Sequence, residues 1–216
     1  MAGTTGASRA QGAPRADLDS VVATGRGDDG TTGLLFGGAR IRKDDARTEA
    51  YGTVDEAVAA MGLARAHLGT AAAERAADGS GELREIAALL LRFQRELFVA
   101  GAELATNPDA WDRLVDGQTR VSAAMVAGVE AVLVETEARI EMPREFVVPG
   151  ETLPSAALEV ARTVLRRAER RAVTLDADGL VPGDHLVRYL NRLADLLWVL
   201  ARAAEQAESR AATPMR

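Results

Sequence analysis

Apolar residues recur at intervals of three and four along five stretches of the chain, which is the spacing of a buried helix face. Their clearest members are Val54, Met61 and Leu68; Leu83, Leu90 and Leu97; Val121, Met125 and Val129; Leu158, Leu165 and Leu175; and Leu186, Leu193 and Leu200. Proline and glycine interrupt the pattern between the stretches. We therefore predict an all-α fold, a mainly antiparallel bundle of five helices.

Capping residues and prolines indicate where the helices begin and end. Thr53 is of a type favoured at an N-cap, and Glu56 follows at the capping-box position, so the first helix is predicted to begin there. The second helix ends before Pro108, the third spans residues 115–139, and the fourth begins near Pro154.

The length of the chain suits a single domain. Its 216 residues, 47% of them hydrophobic, can bury one sizeable core. We expect a domain at residues 21–208, formed by a loop at 21–46 and a helical bundle at 47–208. Residues 1–20 are expected to form a disordered tail, and residues 209–216 a C-terminal tail.

Composition and charge narrow the possible partners. The chain has no cysteine, which excludes thiolate chemistry and favours the reducing cytoplasm. A net charge of -6 argues against nucleic acid or an anionic membrane as a partner, and no apolar run is long enough to span a bilayer. His67 and His185 stand far apart, without the Glu-x-x-His spacing of a di-iron bundle.

The loop at 21–46 is rich in glycine and threonine. Gly25, Gly27 and Gly30 fit the G-x-G-x-x-G spacing, but the pattern shows neither the β-α-β unit of a dinucleotide site nor a Walker ending. Glycines still let backbone N–H groups approach phosphate oxygens, and threonine hydroxyls add donors. The loop is therefore either a phosphate-binding turn or a flexible linker. Lys43, the only lysine in the chain, stands within it.

A row of arginines lies on the fourth helix. Arg162, Arg166 and Arg170 are four residues apart and so share one face beside the apolar stripe. Guanidinium groups in this arrangement can hold a polyphosphate through forked hydrogen bonds. The alternative is a solvated face in which Glu159 and Glu169 pair with the arginines.

Polar residues also accompany the leucine stripe of the fifth helix. Asn191 and Asp195 share a face, and Trp198 continues the same row. Polar groups beside a leucine stripe indicate a partner or ligand, whereas the alternative is an ordinary solvent-facing row.

Six stretches, taken in order, resemble the propanediol-utilisation (PduO) type of cob(I)alamin adenosyltransferase. The resemblance as a whole covers almost all of the chain from Thr24 to Glu205. The stretches are residues 27–32 (Gly-Asp-Asp-Gly-Thr-Thr), 38–45, 49–56, 146–150 (Phe-Val-Val-Pro-Gly), 162–171 and 189–195 (Tyr-Leu-Asn-Arg-Leu-Ala-Asp). Two departures are the reversed order of Gly25 and Arg26 and the presence of Glu151 where glycine is common.

The resemblance implies a fold, a reaction and an assembly. The fold would be a five-helix bundle of the ferritin-like, cobalamin adenosyltransferase-like kind, assembled as a homotrimer with active sites between subunits. The reaction would move the 5′-deoxyadenosyl group of ATP to the cobalt of cob(I)alamin or another corrinoid, with Mg²⁺ bound. A flavin-dependent reductase and an adenosylcobalamin-dependent enzyme would be its partners.

The resemblance also assigns residues. The ATP site would be formed by Thr24, Gly25, Arg26, Gly27, Asp28, Gly30, Thr31, Thr32, Arg40, Lys43, Arg166, Glu169 and Asn191. Arg166 would bind the triphosphate, Arg162 and Asp55 would pair across the subunit interface, and Phe146 would help to empty the lower axial position of the corrinoid. No residues are assigned to the metal. A trimer that binds ATP or corrinoid without turnover, as a sensor or delivery module, is the alternative function.

Overall fold

The helices of the computed structural model account for most of the chain. The structure describes residues 20, 22–75, 77–209 and 213–215, so nearly all of the tail expected at 1–20 lies outside the described residues. Five α-helices and one 3₁₀ helix are present in the described part: α1 Ala46–Glu74, α2 Ala77–Ala105, the 3₁₀ helix Pro108–Arg113, α3 Ala123–Glu137, α4 Leu153–Ala177 and α5 Leu186–Ala207. The prediction of a helical fold is confirmed.

Two α-helices begin or end near their predicted positions. Helix α2 ends at Ala105, shortly before Pro108, which lies in the first turn of the 3₁₀ helix. Helix α4 has Pro154 in its first turn, and Thr152 and Ser155 form a capping box at its N-terminus.

The predicted start of the first helix is wrong. Asp45 is the N-cap of α1, because its carboxylate accepts the amide of Arg47 at 2.8 Å. Thr53 is buried within the helix, where its hydroxyl donates to the carbonyl of Glu49 at 2.6 Å. Small residues such as Ala50 form the buried face of the first turns, so the strong apolar period begins only later.

The predicted start of the third helix is also wrong. Ser122 caps α3 by accepting the amide of Met125 at 3.3 Å. The preceding residues form a turn in which the amide of Val115 donates to the hydroxyl of Thr119 at 2.8 Å. Gly117 lies there at φ +75°, a left-handed conformation that a helix cannot contain.

Contacts between helices give their relative directions. Glu49 contacts Arg171, and Glu56 contacts Arg167, so α1 and α4 are antiparallel. Helices α4 and α5 are likewise antiparallel, because Glu169 contacts Asn191 and Glu159 contacts Arg202. Helices α3 and α5 run parallel, as shown by the contacts Glu130–Arg192 and Glu141–Gln206. The leucines predicted to face inward on α4 and α5 are buried in the core.

Two short strand pairs were not predicted. Strands β1 (Thr31–Thr32) and β2 (Ile41–Arg42) pair antiparallel within the N-terminal loop. Strand β3 (Val147–Val148), in the connector between α3 and α4, pairs antiparallel with β4 (Thr213–Pro214). Within the described residues, no helix is both long and apolar enough to cross a lipid bilayer.

Candidate functional site

Arg40 gives the glycine-threonine loop much of its shape. Its Nε donates to the hydroxyl of Thr31 at 2.7 Å, and its Nη2 donates to the carbonyls of Arg26 and Thr31, each at 2.8 Å. The guanidinium therefore joins the turn before β1 to the β1–β2 pair. One planar group with several N–H donors suits this task better than an ammonium.

Asp29 completes the same arrangement. Its Oδ1 accepts the hydroxyl of Thr31 at 2.8 Å and the amide of Thr31 at 2.9 Å. The hydroxyl hydrogen bond, followed by the amide bond, lowers the pKa of Asp29. The carboxylate stays ionised at neutral pH, and the Thr31 hydroxyl is engaged on both sides.

Lys43 lies against the loop. A Cβ added at Gly27 would come within 2.8 Å of the Lys43 ammonium nitrogen, so a larger residue there would displace the end of this side chain. The amide of Lys43 donates to the carbonyl of Gly30 at 2.9 Å, and Gly30 has φ +78°. The fold brings together the ten loop residues assigned to ATP: Thr24, Gly25, Arg26, Gly27, Asp28, Gly30, Thr31, Thr32, Arg40 and Lys43.

The second group of predicted residues lies on α4 and α5. Arg166 is exposed, and its side chain forms no hydrogen bond or ion pair with the described residues. It borders a cavity of about 320 Å³ together with Arg162, Asp195 and Trp198. The guanidinium is therefore available to an anion. Asn191, on α5, contacts Glu169, which lies three residues beyond Arg166 on α4.

A second cavity adjoins the first. It has a volume of about 530 Å³ and is bordered by Phe146, Glu159, Arg162 and Trp198 among others. Phe146 is 81% exposed, which is unusual for an aromatic side chain. Arg162 and Trp198 border both cavities, so the space beside Phe146 and the space beside Arg166 share a wall.

Beneath this wall lies a buried network of charges. Arg162 Nε donates to Glu159 Oε2 at 2.6 Å, and Glu159 Oε1 lies 3.4 Å from Arg202 Nη1. Arg202, only 1% exposed, also donates through Nη2 to Glu205 Oε1 at 2.9 Å. The alternative pairing of Glu159 with an arginine is confirmed for Arg162. Two arginines and two carboxylates compensate one another, which is what burial of charge requires.

The other two predicted ion pairs, of Glu169 with an arginine and of Asp55 with Arg162, are not formed among the described residues of one chain. Glu169 accepts a hydrogen bond from Asn191 Nδ2 at 2.9 Å, rather than pairing with an arginine. Asp55 is exposed on α1 and forms no ion pair with the described residues. Within one chain, therefore, Asp55 does not meet Arg162.

The loop and the α4–α5 face lie apart in a single chain. The loop rests on the end of the bundle where α2 ends, because the amide of Leu35 donates to the carbonyl of Ala105 at 2.8 Å. Arg166 lies roughly 16 Å along α4 from the C-terminal end of that helix, at a rise of about 1.5 Å per residue. Among the described residues of one chain, neither Arg166 nor Asn191 has a hydrogen bond or ion pair with the loop.

Two buried charged residues support the end of the bundle and were not identified from the sequence. The guanidinium of Arg47 donates to the carbonyls of Leu104 at 2.8 Å and Leu180 at 3.0 Å, joining α1 to the last turn of α2 and to the segment that follows α4. Glu103 Oε2 accepts the amide of Val121 at 2.7 Å. Burial raises the pKa of Glu103 to about 7.

The described residues contain no cluster of three or more histidine and carboxylate side chains that could hold a metal ion. Mg²⁺ commonly reaches a nucleotide site bound mostly by phosphate oxygens, with one or two carboxylates added.

The chain resembles known proteins over most of its length. A sequence model described as cobalamin adenosyltransferase matches residues 22–204. A corrinoid adenosyltransferase of Citrobacter freundii is 40% identical over 85% of this chain and 94% of its own length. Corrinoid adenosyltransferase PduO of Salmonella typhimurium is 38% identical, and here the chain spans only 49% of the longer relative.

A solved structure has the same fold. It is a variant of a PduO-type ATP:corrinoid adenosyltransferase from Lactobacillus reuteri, complexed with cobalamin and ATP. The TM-score is 0.75 at 26% sequence identity, and the match covers 90% of this chain and 99% of the other.

Proposed function

The chain belongs to the cobalamin adenosyltransferase family, and from that premise we propose that it transfers the 5′-deoxyadenosyl group of ATP to the cobalt of a reduced corrinoid. The observation that carries the proposal is the shared wall of Arg162 and Trp198. It sets the cavity beside Phe146 next to the cavity beside Arg166. A corrinoid in the first and a triphosphate in the second would bring the two reactants together.

We propose that the complete site forms between two chains of a homotrimer. The loop of one protomer would face the α4–α5 surface of another, since the two lie apart in a single chain. Glu159 binds only the Nε of Arg162, so the terminal nitrogens of this guanidinium remain for a carboxylate. Asp55 of the neighbouring protomer would supply it. Loss of either residue would then weaken both assembly and activity.

The proposed reaction is an in-line displacement. An electron pair of cobalt(I) attacks C5′ of ATP, a cobalt–carbon bond forms, and the C5′–O bond breaks to release triphosphate. Arg166, with Arg40 and Lys43 of the loop, would stabilise the charge that develops on the leaving group. Binding the corrinoid and ATP in adjacent cavities supplies the orientation that the displacement needs. Magnesium, carried by ATP, would neutralise further phosphate charge.

Phe146 would act on the opposite side of the corrinoid. A side chain that fills the lower axial position excludes a ligand from cobalt, and a four-coordinate cobalt(II) corrinoid is easier to reduce than a five-coordinate one. The exposure of Phe146 at the cavity edge supports this role. A flavin-dependent reductase would supply the electron, and an adenosylcobalamin-dependent enzyme would receive the product. The lack of cysteine fits the reducing cytoplasm.

A turnover assay tests the proposal. Purified protein is mixed with ATP, magnesium and chemically reduced corrinoid, and the cobalt(I) absorbance and released triphosphate are followed. We expect the absorbance to decay as triphosphate appears in equal amount. Binding of ATP and corrinoid without either change would instead establish the alternative function, a sensor or delivery module.

A further inference from the structure

The amide of Asn191 is held on both sides by charged residues. Its Nδ2 donates to Glu169 Oε1 at 2.9 Å, and its Oδ1 accepts from Arg192 Nη1 at 2.8 Å. A flipped amide would set Nδ2 against the guanidinium and Oδ1 against the carboxylate, so the two charges fix its orientation. One N–H and one lone pair of the amide remain for a ligand.

Arg192 is itself held in place from a third helix. Its Nε donates to Glu130 Oε1, on α3, at 3.2 Å, and its Nη1 lies 3.4 Å from Asp195 Oδ2. A continuous series of polar contacts therefore runs from Glu130 through Arg192 and Asn191 to Glu169. It joins α3, α5 and α4, and it ends at two residues assigned to the ATP site.

We propose that Arg192, held by Glu130, is a positioning residue for ATP, which acts by orienting the Asn191 amide toward the nucleotide. The inference rests on the proposed function, because it takes Asn191 as a contact to ATP. Without Arg192, the amide would keep its bond to Glu169 but lose the partner of its oxygen. The amide would then have to be ordered when ATP binds.

A rival role for Arg192 is direct contact with a phosphate. Its Nη2 is not used by Glu130, Asn191 or Asp195, so a ligand could reach it. The two roles differ in how they couple to Asn191. A positioning residue has no effect once its target is removed, whereas a direct contact keeps its full effect.

Arg188 provides a matched control. It lies on the same helix, and its Nη2 donates to the same oxygen of Glu130 at 2.8 Å. It has no contact with Asn191 among the described residues. Substitution of either arginine removes one partner of Glu130, so the two variants differ in the contact of Arg192 with Asn191 and in its longer contact with Asp195.

The experiment measures ATP affinity by calorimetry, without corrinoid, for the wild type, R192Q, R188Q, N191A and the N191A/R192Q double variant. We expect R192Q to raise the Kd for ATP about tenfold, as loss of a charge-assisted hydrogen bond does. R188Q should stay within about twofold of the wild type. The double variant should bind ATP no more weakly than N191A. The KM for corrinoid should not change in R192Q, since the contact concerns ATP alone.

Three results would contradict the inference. R192Q and R188Q with equal affinity for ATP would overturn it, as would a further tenfold loss in the double variant relative to N191A. In both cases wild-type turnover would leave the proposed function standing. A wild-type protein that neither binds ATP nor consumes cobalt(I) would overturn the proposed function and this inference together.

Discussion

The glycine-threonine loop and the α4–α5 face both carry arginines, but they use them differently. Arg40 directs three hydrogen bonds at atoms of its own loop. Arg166 directs none at the described residues and borders a cavity. We infer that Arg40 mainly maintains a shape to which phosphate can bind, and that Arg166 mainly provides charge to the ligand.

The two regions also differ in the buried charged residues that lie beneath them. Beneath the face, Arg202 lies between Glu159 and Glu205, so the buried charges compensate one another. The end of the bundle beneath the loop contains Glu103, which accepts a backbone amide and has its pKa raised by burial. The loop end should therefore respond to pH near neutrality through Glu103.

The largest effect is expected from Arg166→Ala. Removing a guanidinium that has no partner among the described residues and can bind the leaving triphosphate should lower kcat about a hundredfold to a thousandfold. The fold and assembly should persist, because the side chain is exposed and bonds to no described residue. Turnover under saturating substrates, circular dichroism and size-exclusion chromatography provide the measurements.

Arg171→Ala is the control for that variant. Arg171 is an exposed arginine of the same helix, and its contact with Glu49 spans 3.9 Å. The Arg171→Ala variant should retain near-normal kcat. Near-normal turnover by the Arg166 variant would show that the phosphate assignment, and with it the contrast between the two regions, is wrong.

The second effect concerns Glu103 and pH. Its pKa is about 7 in the folded chain and 4.5 ordinarily, so the folded state keeps a proton that the unfolded state releases between these values. Stability from this group is present below the lower value and is lost as pH rises to the upper one, by up to about 3 kcal/mol. Glu103→Gln should remove this loss.

Urea unfolding at about pH 5 and about pH 8 tests the expectation. The difference in free energy of unfolding between Glu103→Gln and the wild type should shift in favour of the variant from the lower to the higher pH. This holds whatever the difference is at the lower pH. Glu85→Gln is the control, because Glu85 is an exposed carboxylate on the same helix. If each variant differs from the wild type in free energy of unfolding by the same amount at both pH values, folding does not raise the pKa of Glu103.

The sequence predicted the helices better than it predicted their starts. Strong apolar periods bounded by proline, as at Pro154, located α4 closely. Asp45 and Thr53 both have the chemistry of an N-cap, and the alanine-rich first turns of α1 gave no signal to choose between them. Gly117 marked the turn before α3, but the helical spacing of Val121, Met125 and Val129 did not show where the helix begins. Strands β3 and β4 join segments distant in sequence, which a local pattern cannot show.

The candidate site was predictable where residues near in sequence act together. The loop from Thr24 to Thr32 and the arginines of α4 were singled out as candidates in this way. Arg47 and Glu103 were not, because a charged residue is ordinarily exposed and a burial partner on another helix leaves no mark in the sequence. The same applies to the pairing of Arg202 with Glu159.

The smallest effect is expected from Arg40, and it bears most directly on how the two regions differ. Arg40→Lys keeps the charge, but one ammonium cannot reach the Thr31 hydroxyl and the carbonyls of Thr31 and Arg26 together. If Arg40 maintains loop shape, Arg40→Lys and Arg40→Ala should both raise the Kd for ATP about tenfold. Calorimetry of ATP binding measures this. Arg42→Gln, which removes an exposed arginine paired with Asp44, should stay near the wild type. Recovery of affinity in the lysine variant would mean that Arg40 acts through its charge, as Arg166 does.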